Sequence, residues 1–164
     1  MDDWTEMVDK GQPFDVVYLD FRKAFDTVPH KRLLKKLTAN GVDEPLVSWI
    51  GHLLEKRSQR VVVNGAFSDW KGVTSGISQG SVLGPLLFLI YINDLPDVID
   101  CLNALFADDT KVYSPVQTID DARALQNNLN NLDEWSDKWQ LSFNVSKCKV
   151  VHFGNGNHES MNIP

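Results

Sequence analysis

The stretch LNALFADDTKVYS, Leu102 to Ser114, decides how the rest of this chain can be interpreted. An apolar run leads into two adjacent acids, Asp108 and Asp109, and a second strand-like run, Thr110 to Tyr113, follows them. The pattern predicts a tight β-hairpin whose turn contains carboxylates. Adjacent carboxylates repel one another, and a nearby cation relieves that repulsion. The alternative is an ordinary solvated turn, because Asp is a common turn former.

An earlier acidic strand end favours the functional interpretation of this turn. Residues Val16 to Leu19 form a β-branched and aromatic run that predicts a buried strand, and Asp20 follows it directly. Open α/β sheets tend to place their chemistry at the carboxyl ends of strands. If the two strands are neighbours, Asp20, Asp108 and Asp109 converge at one sheet end. Three carboxylates together select a hard cation, magnesium or manganese, and two such ions are the usual clamp for a phosphoryl displacement.

The remaining elements follow from hydrophobic periodicity and turn signals. Helices are expected over residues 27–40, 43–56, 81–93 and 118–139, and a strand over Lys149–Phe153. An Asn64-Gly65 pair predicts a hairpin over residues 60–70. In the helix over residues 43–56, Leu46 and Leu53 are among the residues expected to face inward. The order of elements predicts an α+β fold, an antiparallel sheet with helices packed on one face in the split βαβ arrangement.

Composition limits the classes of function. The chain has 164 residues, of which 43% are hydrophobic and 23% charged, so a single globular domain is expected. Its net charge of -6 argues against a self-sufficient nucleic-acid binder. Cys101 and Cys148 are far apart and form no ligand-spaced cluster, which favours a reduced intracellular compartment. The longest apolar run, Val82 to Ile92, is too short to cross a membrane, so no membrane partner is expected.

Four stretches taken together resemble the palm of a reverse transcriptase of the non-LTR (LINE-type) retrotransposon family. In chain order they are VVYLDFRKAFDTVPH at 16–30, SGISQGSVLGPLLFLIYINDLP at 75–96, LFADDTKVY at 105–113 and LSFNVSKCKVVHFG at 141–154. Each is weak alone, but all four occur in the family's order and fall where a strand end or loop is expected. The resemblance implies a polymerase palm-like fold over residues 14–153, with a lead-in at 1–13 and a frayed tail at 154–164.

The resemblance also implies the catalytic groups. Asp20 and Asp108 resemble the principal metal ligands, with Asp109 as the second member of the pair, and the implied cofactor is two Mg²⁺ ions, for which Mn²⁺ can substitute. Lys147 resembles a lysine near the triphosphate, a candidate general acid for the leaving pyrophosphate. The alternative for Lys147 is a solvated lysine at a strand end.

The nucleotide-binding residues are likewise implied by the resemblance. Phe21 resembles the position whose backbone contacts the metal and the incoming nucleotide, and Arg22 and Ala24 lie beside it in the motif. Phe25 resembles the steric gate, a ring packed under the sugar that excludes a 2′-hydroxyl. An ordinary core aromatic is the alternative for Phe25.

Gln79 and Gly80 resemble the loop that lies against the nucleotide and template, where Gly permits close backbone approach. The family usually reads GVPQG at this loop, and here Ser78 takes the proline's place. Loss of the proline frees φ and adds an amide donor, which predicts a looser loop. A second departure is that only 19 residues precede Asp20, so the family's fingers, as well as the thumb, are expected to lie elsewhere in a parent polyprotein.

The function implied is RNA-directed DNA polymerisation, in which a primer 3′-hydroxyl attacks the α-phosphate of a deoxynucleoside triphosphate. The partners implied are an RNA template, a DNA primer, a dNTP and the missing fingers and thumb, without which the isolated fragment is expected to be inactive. The family resemblance implies the nucleus and cytoplasm as locations. The main alternative is a truncated or domesticated, inactive remnant that acts as a binding or structural module. A receiver-like phosphoacceptor domain fits less well, because it needs the acid pair on the first strand and here the pair follows the single acid. An RNA-binding sheet module fits less well, because the strands lack an exposed pair of aromatic residues.

Overall fold

The computed structural model describes residues 2–78, 80–107 and 109–154, with the backbone alone for residues 2–4. Two compact units divide the chain. The sheet unit contains residues 1–22 and 94–164, and the helical unit contains residues 23–93. The chain therefore leaves the sheet unit after Arg22 and returns to it at Asp94.

The strands are β1 Phe14–Asp20, β2 Ser58–Gln59, β3 Val62–Val63, β4 Ala66–Phe67, β5 Lys71–Gly72, β6 Leu102–Phe106, β7 Asp109–Pro115 and β8 Lys149–Phe153. The helices are α1 Asp2–Asp9, α2 Ala24–Thr27, α3 His30–Ala39, α4 Glu44–Leu54, α5 Leu83–Ile92 and α6 Ile119–Trp139. A short 3₁₀ turn covers Pro96–Val98. The predicted strand over 149–153 and the four predicted helices are thus confirmed, with ends that move by up to three residues.

The sheet unit is built on one four-stranded antiparallel sheet in the order β6-β7-β1-β8. Strands β1 and β6 are both antiparallel to β7, so they run parallel to each other with β7 between them. Strands β7 and β8 likewise run parallel with β1 between them. This is the split βαβ arrangement twice over, and the predicted fold class is confirmed.

The two faces of the sheet are covered differently. Side chains alternate between faces along a strand, and on one face α6 packs against β7, with Leu125, Leu129 and Leu132 fully buried. On the other face Met7 of α1 joins a cluster with Phe14, Val16 and Tyr113. That second cluster covers the β1 end remote from Asp20. That cluster does not cover the Asp20 end of the same face.

Helix α6 begins with a complete capping box. The Thr118 hydroxyl accepts a hydrogen bond from the Asp121 amide, and the Asp121 carboxylate accepts one from the Thr118 amide at 2.9 Å. The Gln117 amide also donates to this carboxylate, at 3.1 Å. The Thr118 hydroxyl and the Gln117 and Thr118 amides lower the pKa of Asp121. The first turn of the longest helix is therefore stabilised by an ionised Asp121.

In the helical unit, α3 packs against both α4 and α5. The inward face of α4 consists of Val47, Ile50, Gly51 and Leu54. The expectation that Leu46 and Leu53 face inward was wrong, because they are 50% and 45% exposed. Helix α4 carries two apolar stripes, and the inward one contains Gly51, where an added Cβ would meet Leu34 of α3 at 3.4 Å. That distance is an ordinary van der Waals contact, and periodicity alone does not show which of the two stripes faces inward.

The predicted hairpin over residues 60–70 forms, with Val62 paired to Phe67 and Val63 to Ala66. Asn64 and Gly65 have φ values of 50° and 79°, which is the positive φ that a two-residue hairpin turn requires. A second strand pair, β2 with β5, extends the same ribbon at its base. Among the residues described, no helix is both long and apolar enough to cross a membrane.

We predict that Thr118→Ala lowers the free energy of unfolding by about 1 kcal/mol, because it removes the N-cap hydroxyl of α6. The measurement is urea denaturation followed by circular dichroism. Asp133→Ala, an exposed change in the middle of the same helix, is the control and should have little effect.

We also predict an acid-side loss of stability from Asp121. Because its pKa is lower in the folded chain than its ordinary value of 3.8, its contribution is present above pH 3.8 and is lost as the pH falls through the folded-state pKa. Thermal unfolding measured across the acid range should show a shallower pH dependence for Asp121→Asn than for the wild type. Identical pH profiles would contradict this assignment.

Candidate active site

The pairing of β1 with β7 ends with Asp20 directly opposite Asp109. Directly opposed residues of an antiparallel pair place their side chains on the same face, with Cβ atoms about 5 Å apart. The β6–β7 hairpin pairs Phe106 with Asp109. Ala107, which follows β6, has a φ of 55°. The hairpin is therefore confirmed, but Asp109 is the first residue of β7 and does not belong to the turn as predicted. Asp108 lies outside the described residues.

The Asp20 carboxylate has one satisfied and one unsatisfied oxygen. Its Oδ2 atom accepts a hydrogen bond from Lys147 Nζ at 3.2 Å. Its Oδ1 atom is buried and has no hydrogen-bond partner among the described residues. A buried carboxylate oxygen without a donor costs free energy unless a cation or a water molecule satisfies it. Asp20 can therefore accept a positive charge or a donor at Oδ1.

Backbone hydrogen bonds position Lys147 beside Asp20. The Asn144 amide donates to the Asp20 carbonyl at 2.7 Å, and the Arg22 amide donates to the Ser142 carbonyl at 2.8 Å. The Lys147 amide then donates to the Asn144 carbonyl at 2.8 Å, which closes a turn. Residues 142–144 therefore extend the pairing of β1, and the turn that follows them brings Lys147 back to the Asp20 carboxylate.

Phe21 fastens the end of β1 to the core. Its side chain is 2% exposed. The ring stacks on Phe143, with the two ring centroids 4.7 Å apart, and its centroid lies 6.2 Å from that of Trp135 on α6. The Asp20 carbonyl and the Arg22 amide, one on each side of Phe21, make the hydrogen bonds of its bridge with the 142–144 segment. Any contact of Phe21 with a ligand must therefore come from its backbone, as the resemblance implies.

A cavity of about 360 Å³ opens at this sheet end. It is lined by Tyr18, Leu19, Asp20, Asp109, Thr110, Lys111 and Lys147. Tyr18 and Lys111 were not predicted as site residues; they pair across β1 and β7, with the Lys111 ammonium 5.3 Å from the Tyr18 ring. Side chains two residues apart on a strand share a face, so Tyr18, two residues before Asp20, and Lys111, two residues after Asp109, could have been predicted as neighbours of the acids. Two lysines therefore flank the two acids.

Cys148, next to Lys147, is buried and lies close to Asp20. Burial raises the pKa of its thiol above the ordinary 9.0, and the Asp20 charge raises it further, against the effect of a hydrogen bond with the Asp20 backbone. The thiol therefore stays neutral at pH 7. It adds no negative charge beside the two carboxylates.

The implied nucleotide-binding residues lie partly in the helical unit. Ala24 is buried, and the half-buried Phe25 ring stacks on Phe88 with centroids 4.8 Å apart. Arg22, in the sheet unit, is exposed. Gly80 has a φ of 80°, a conformation that favours glycine, and Gln79 lies outside the described residues. The nucleotide-binding roles of these residues stay predictions.

The loop before position 79 is fixed at several points. The Gly76 amide donates to the Val28 carbonyl and the Ile77 amide to the Phe25 carbonyl, each at 2.8 Å. A Cβ added at Gly76 would lie 2.7 Å from the Asp26 carbonyl oxygen, so only glycine fits there. The Ser81 hydroxyl donates to the Ser78 carbonyl at 2.8 Å. Contacts on both sides of Ser78 therefore hold this loop.

The donor set at the sheet end fits a hard divalent cation. Asp20 and Asp109 provide carboxylate oxygens, and the buried Oδ1 of Asp20 is the oxygen that a cation would satisfy. Within residues 2–78, 80–107 and 109–154, no group of three His, Cys, Asp or Glu side chains comes together as a metal site. Asp20 and Asp109 are two members of the predicted set of three, and the third is Asp108.

Comparison with known proteins gives concordant results. A family model described as "Reverse transcriptase (RNA-dependent DNA polymerase)" matches residues 6–163. The RNA-directed DNA polymerase from mobile element jockey of Drosophila melanogaster is 36% identical over 148 residues, which cover 84% of this chain and 16% of that protein. The Pol polyprotein from the type-1 retrotransposable element R2 of Popillia japonica is 36% identical over 86 residues, or 52% of this chain and 14% of that protein. The chain therefore spans about a sixth of these relatives.

Solved structures with the same fold include telomerases. An apo telomerase from Candida tropicalis, truncated from its C-terminal domain, superposes with a TM-score of 0.66 at 13% identity, covering 97% of this chain and 35% of that one. The Candida tropicalis telomerase in complex with a telomeric RNA fragment gives a TM-score of 0.68 at 11% identity, covering 99% of this chain and 30% of that one. At these identities the similarity shows the fold alone.

We predict that Phe21→Ala lowers the free energy of unfolding by about 3 to 5 kcal/mol, because it removes a buried ring from between Phe143 and Trp135. Phe106→Ala is the matched control, since Phe106 is 82% exposed in the same sheet. Urea denaturation monitored by circular dichroism measures both. Equal losses for the two variants would contradict the anchoring role of Phe21.

Proposed function

Because this chain belongs to the reverse transcriptase (RNA-dependent DNA polymerase) family, we propose that residues 14–153 form the palm of an RNA-directed DNA polymerase from a non-LTR retrotransposon. The observation that carries the proposal is the register of β1 and β7, which sets Asp20 opposite Asp109 at the mouth of a cavity. The substrates proposed are an RNA template, a DNA primer and a dNTP. Fingers and thumb segments of a parent protein complete the enzyme.

Asp20, Asp108 and Asp109 are proposed to hold two Mg²⁺ ions, for which Mn²⁺ can substitute, and the Phe21 backbone is a further contact. Support comes from the oxygen donors of Asp20 and Asp109 and from the unpartnered Oδ1 atom of Asp20. When bound, the ions supply Lewis acidity at the attacking and leaving oxygens of the nucleotidyl transfer. The chain's own part is to keep two carboxylates adjacent, which the hydrogen bonds of β1 and β7 enforce.

Lys147 is proposed as the general acid that protonates the leaving pyrophosphate. Its ammonium holds a proton at Nζ, 3.2 Å from Asp20 Oδ2, and its side chain is 63% exposed. Because the lysine end of this ion pair is exposed to solvent, the Lys147 ammonium has room to rotate away from Asp20. Lys147 can therefore turn from Asp20 toward a negatively charged leaving group.

The Phe25 ring is proposed as the steric gate against a 2′-hydroxyl. Its stacking on Phe88 fixes the ring plane while leaving it only half-buried, and a gate needs both a fixed ring and an open face. Arg22, Ala24, Gln79 and Gly80 are proposed to contact the nucleotide around it. The primer 3′-oxygen would then attack the α-phosphorus of the dNTP, and pyrophosphate would leave.

We predict that Mg²⁺ raises the melting temperature of the wild-type chain and has little effect on Asp20→Asn, because a ligand bound only to the native state stabilises it. Without metal, Asp20→Asn should change the stability little, since it loses the Lys147 ion pair but also removes the charge from the carboxylate whose Oδ1 atom no described residue satisfies. Differential scanning calorimetry with and without Mg²⁺ measures both. Asp133→Asn on α6 is the control and should respond as the wild type does; equal Mg²⁺ stabilisation of Asp20→Asn would sink the metal assignment.

We predict that a chimeric jockey polymerase carrying this chain in place of its matched segment extends a DNA primer on an RNA template. Asp20→Asn in the chimera should reduce extension by about a hundredfold or more, because it removes a carboxylate proposed to hold the Mg²⁺ ions that stabilise the transition-state charge. The control is again Asp133→Asn. A correctly folded chimera without extension, beside an active jockey parent, would instead support the inactive remnant.

A further inference from the structure

The β2–β5 ribbon, residues 56–72, is the most exposed apolar element of the helical unit. Every residue from 58 to 72 is exposed, including Val61 at 64%, Phe67 at 60% and Trp70 at 61%. A lone two-stranded ribbon is marginally stable in water, and exposed aromatic groups on it mark an interaction surface. The ribbon therefore presents a surface that suits a binding partner.

The charge of the ribbon is opposite to that of the chain. It carries four cations, Lys56, Arg57, Arg60 and Lys71, and one carboxylate, Asp69, whereas the whole chain has a net charge of -6. None of the ion pairs seen among the described residues involves a ribbon cation. The ribbon is therefore a concentrated positive patch that favours an anionic partner.

Arg60 is stacked between the two aromatic side chains of the ribbon. Its guanidinium carbon lies 4.2 Å from the centre of the Phe67 ring and 4.6 Å from the centre of the Trp70 ring. Cation–π contacts of this kind fix the plane of the guanidinium and leave its edge N–H groups for an acceptor. The outer faces of rings that are more than half exposed are open to further stacking.

A polar cavity of about 620 Å³ lies at the base of the ribbon. Its lining includes the cations Lys23 and Arg57, the hydroxyls of Thr27, Thr74 and Ser75, and one acid, Asp26. Lys23 has a φ of 52°, and Lys56, which precedes Arg57, has a φ of 54°. Left-handed backbone strains a lysine and would suit glycine or asparagine better.

We propose that the ribbon and the cavity at its base bind a single strand of RNA, with phosphates on Arg57, Arg60 and Lys23 and bases stacked on Phe67 and Trp70. Cations interleaved with exposed aromatic rings form the combination that single-stranded nucleic acid requires. A purely apolar protein partner would cover the valines and rings but would leave the four cations buried without counter-charges. The choice of RNA rests on the proposed function, and the surface itself lies outside the carboxylate site.

The test is fluorescence anisotropy of the full 164-residue chain with a labelled single-stranded RNA of mixed sequence, in EDTA. Trp70→Ala should weaken binding roughly tenfold, because base–aromatic stacking contributes about that much per base. Its matched control is Trp49→Ala, a tryptophan of α4 that is 52% exposed outside the ribbon. Trp70→Phe keeps a ring and should restore most of the affinity, which separates stacking from a folding defect.

The charges are tested by salt dependence. Removal of one cation that neutralises a phosphate should reduce the slope of log affinity against log salt by about 0.7. The double variant Arg57→Gln with Arg60→Gln should therefore bind more weakly and with a shallower slope. Arg123→Gln, whose guanidinium is already paired with Asp120 in the sheet unit, is the control. Equal slopes for the double variant and this control would overturn the proposal.

EDTA removes divalent metal from the assay, so metal bound at the Asp20 carboxylate cannot contribute to the measured RNA binding. Asp133→Asn, an exposed change on α6, should bind the RNA as the wild type does. The assay needs neither metal nor primer extension, so failure of the polymerase proposal leaves this measurement intact. No binding by the wild-type chain at low salt, or equal binding by Trp70→Ala and Trp49→Ala, would overturn the RNA surface and favour a protein partner for the ribbon.

Discussion

The hydrogen-bonded register between β1 and β7 is the constraint on which the sheet unit depends. Strand β1 carries Val17 and Leu19 on one face and Asp20 on the other, so a slip of one residue would bring the Asp20 carboxylate to the buried apolar face and is strongly disfavoured. The same register brings Asp20 and Asp109 to one position at the strand ends. Burial of the apolar residues thus forces two like charges together, and packing energy offsets their repulsion.

The neighbours of Asp20 reduce that repulsion without removing it. Lys147 pairs with one oxygen only, and Cys148 stays neutral because burial raises the pKa of its thiol. The second oxygen remains unsatisfied among the described groups. Residual instability of this kind, held by a rigid core around Phe21, is what a site prepared for a cation would show. The core around Phe21 holds the site rigid, and the Asp20 Oδ1 atom, which no described residue satisfies, is the group available to a cation.

The helical unit shows a different balance. Its interior is closed by α3, α4 and α5, with α3 packed against the other two. Its ribbon, in contrast, buries nothing and keeps four cations without carboxylate partners among the described residues. An element that does not stabilise its own unit is free to vary for binding, because its side chains carry no packing role. The ribbon therefore has the character of a contact surface.

The sequence alone determined the main helices and the hairpin, because periodicity and the Asn64-Gly65 turn act over short distances. The sequence also identified Asp20, Asp108 and Asp109 as candidate site residues, because each lies in a motif that occurs in the family's order. Only the tertiary structure decided which stripe of α4 faces inward, because a helix with two apolar stripes is ambiguous until α3 packs against one of them. Tertiary structure likewise decided that Asp20 opposes Asp109 and that Lys111 joins them, since cross-strand register depends on burial of both strands together and is not encoded in either strand alone.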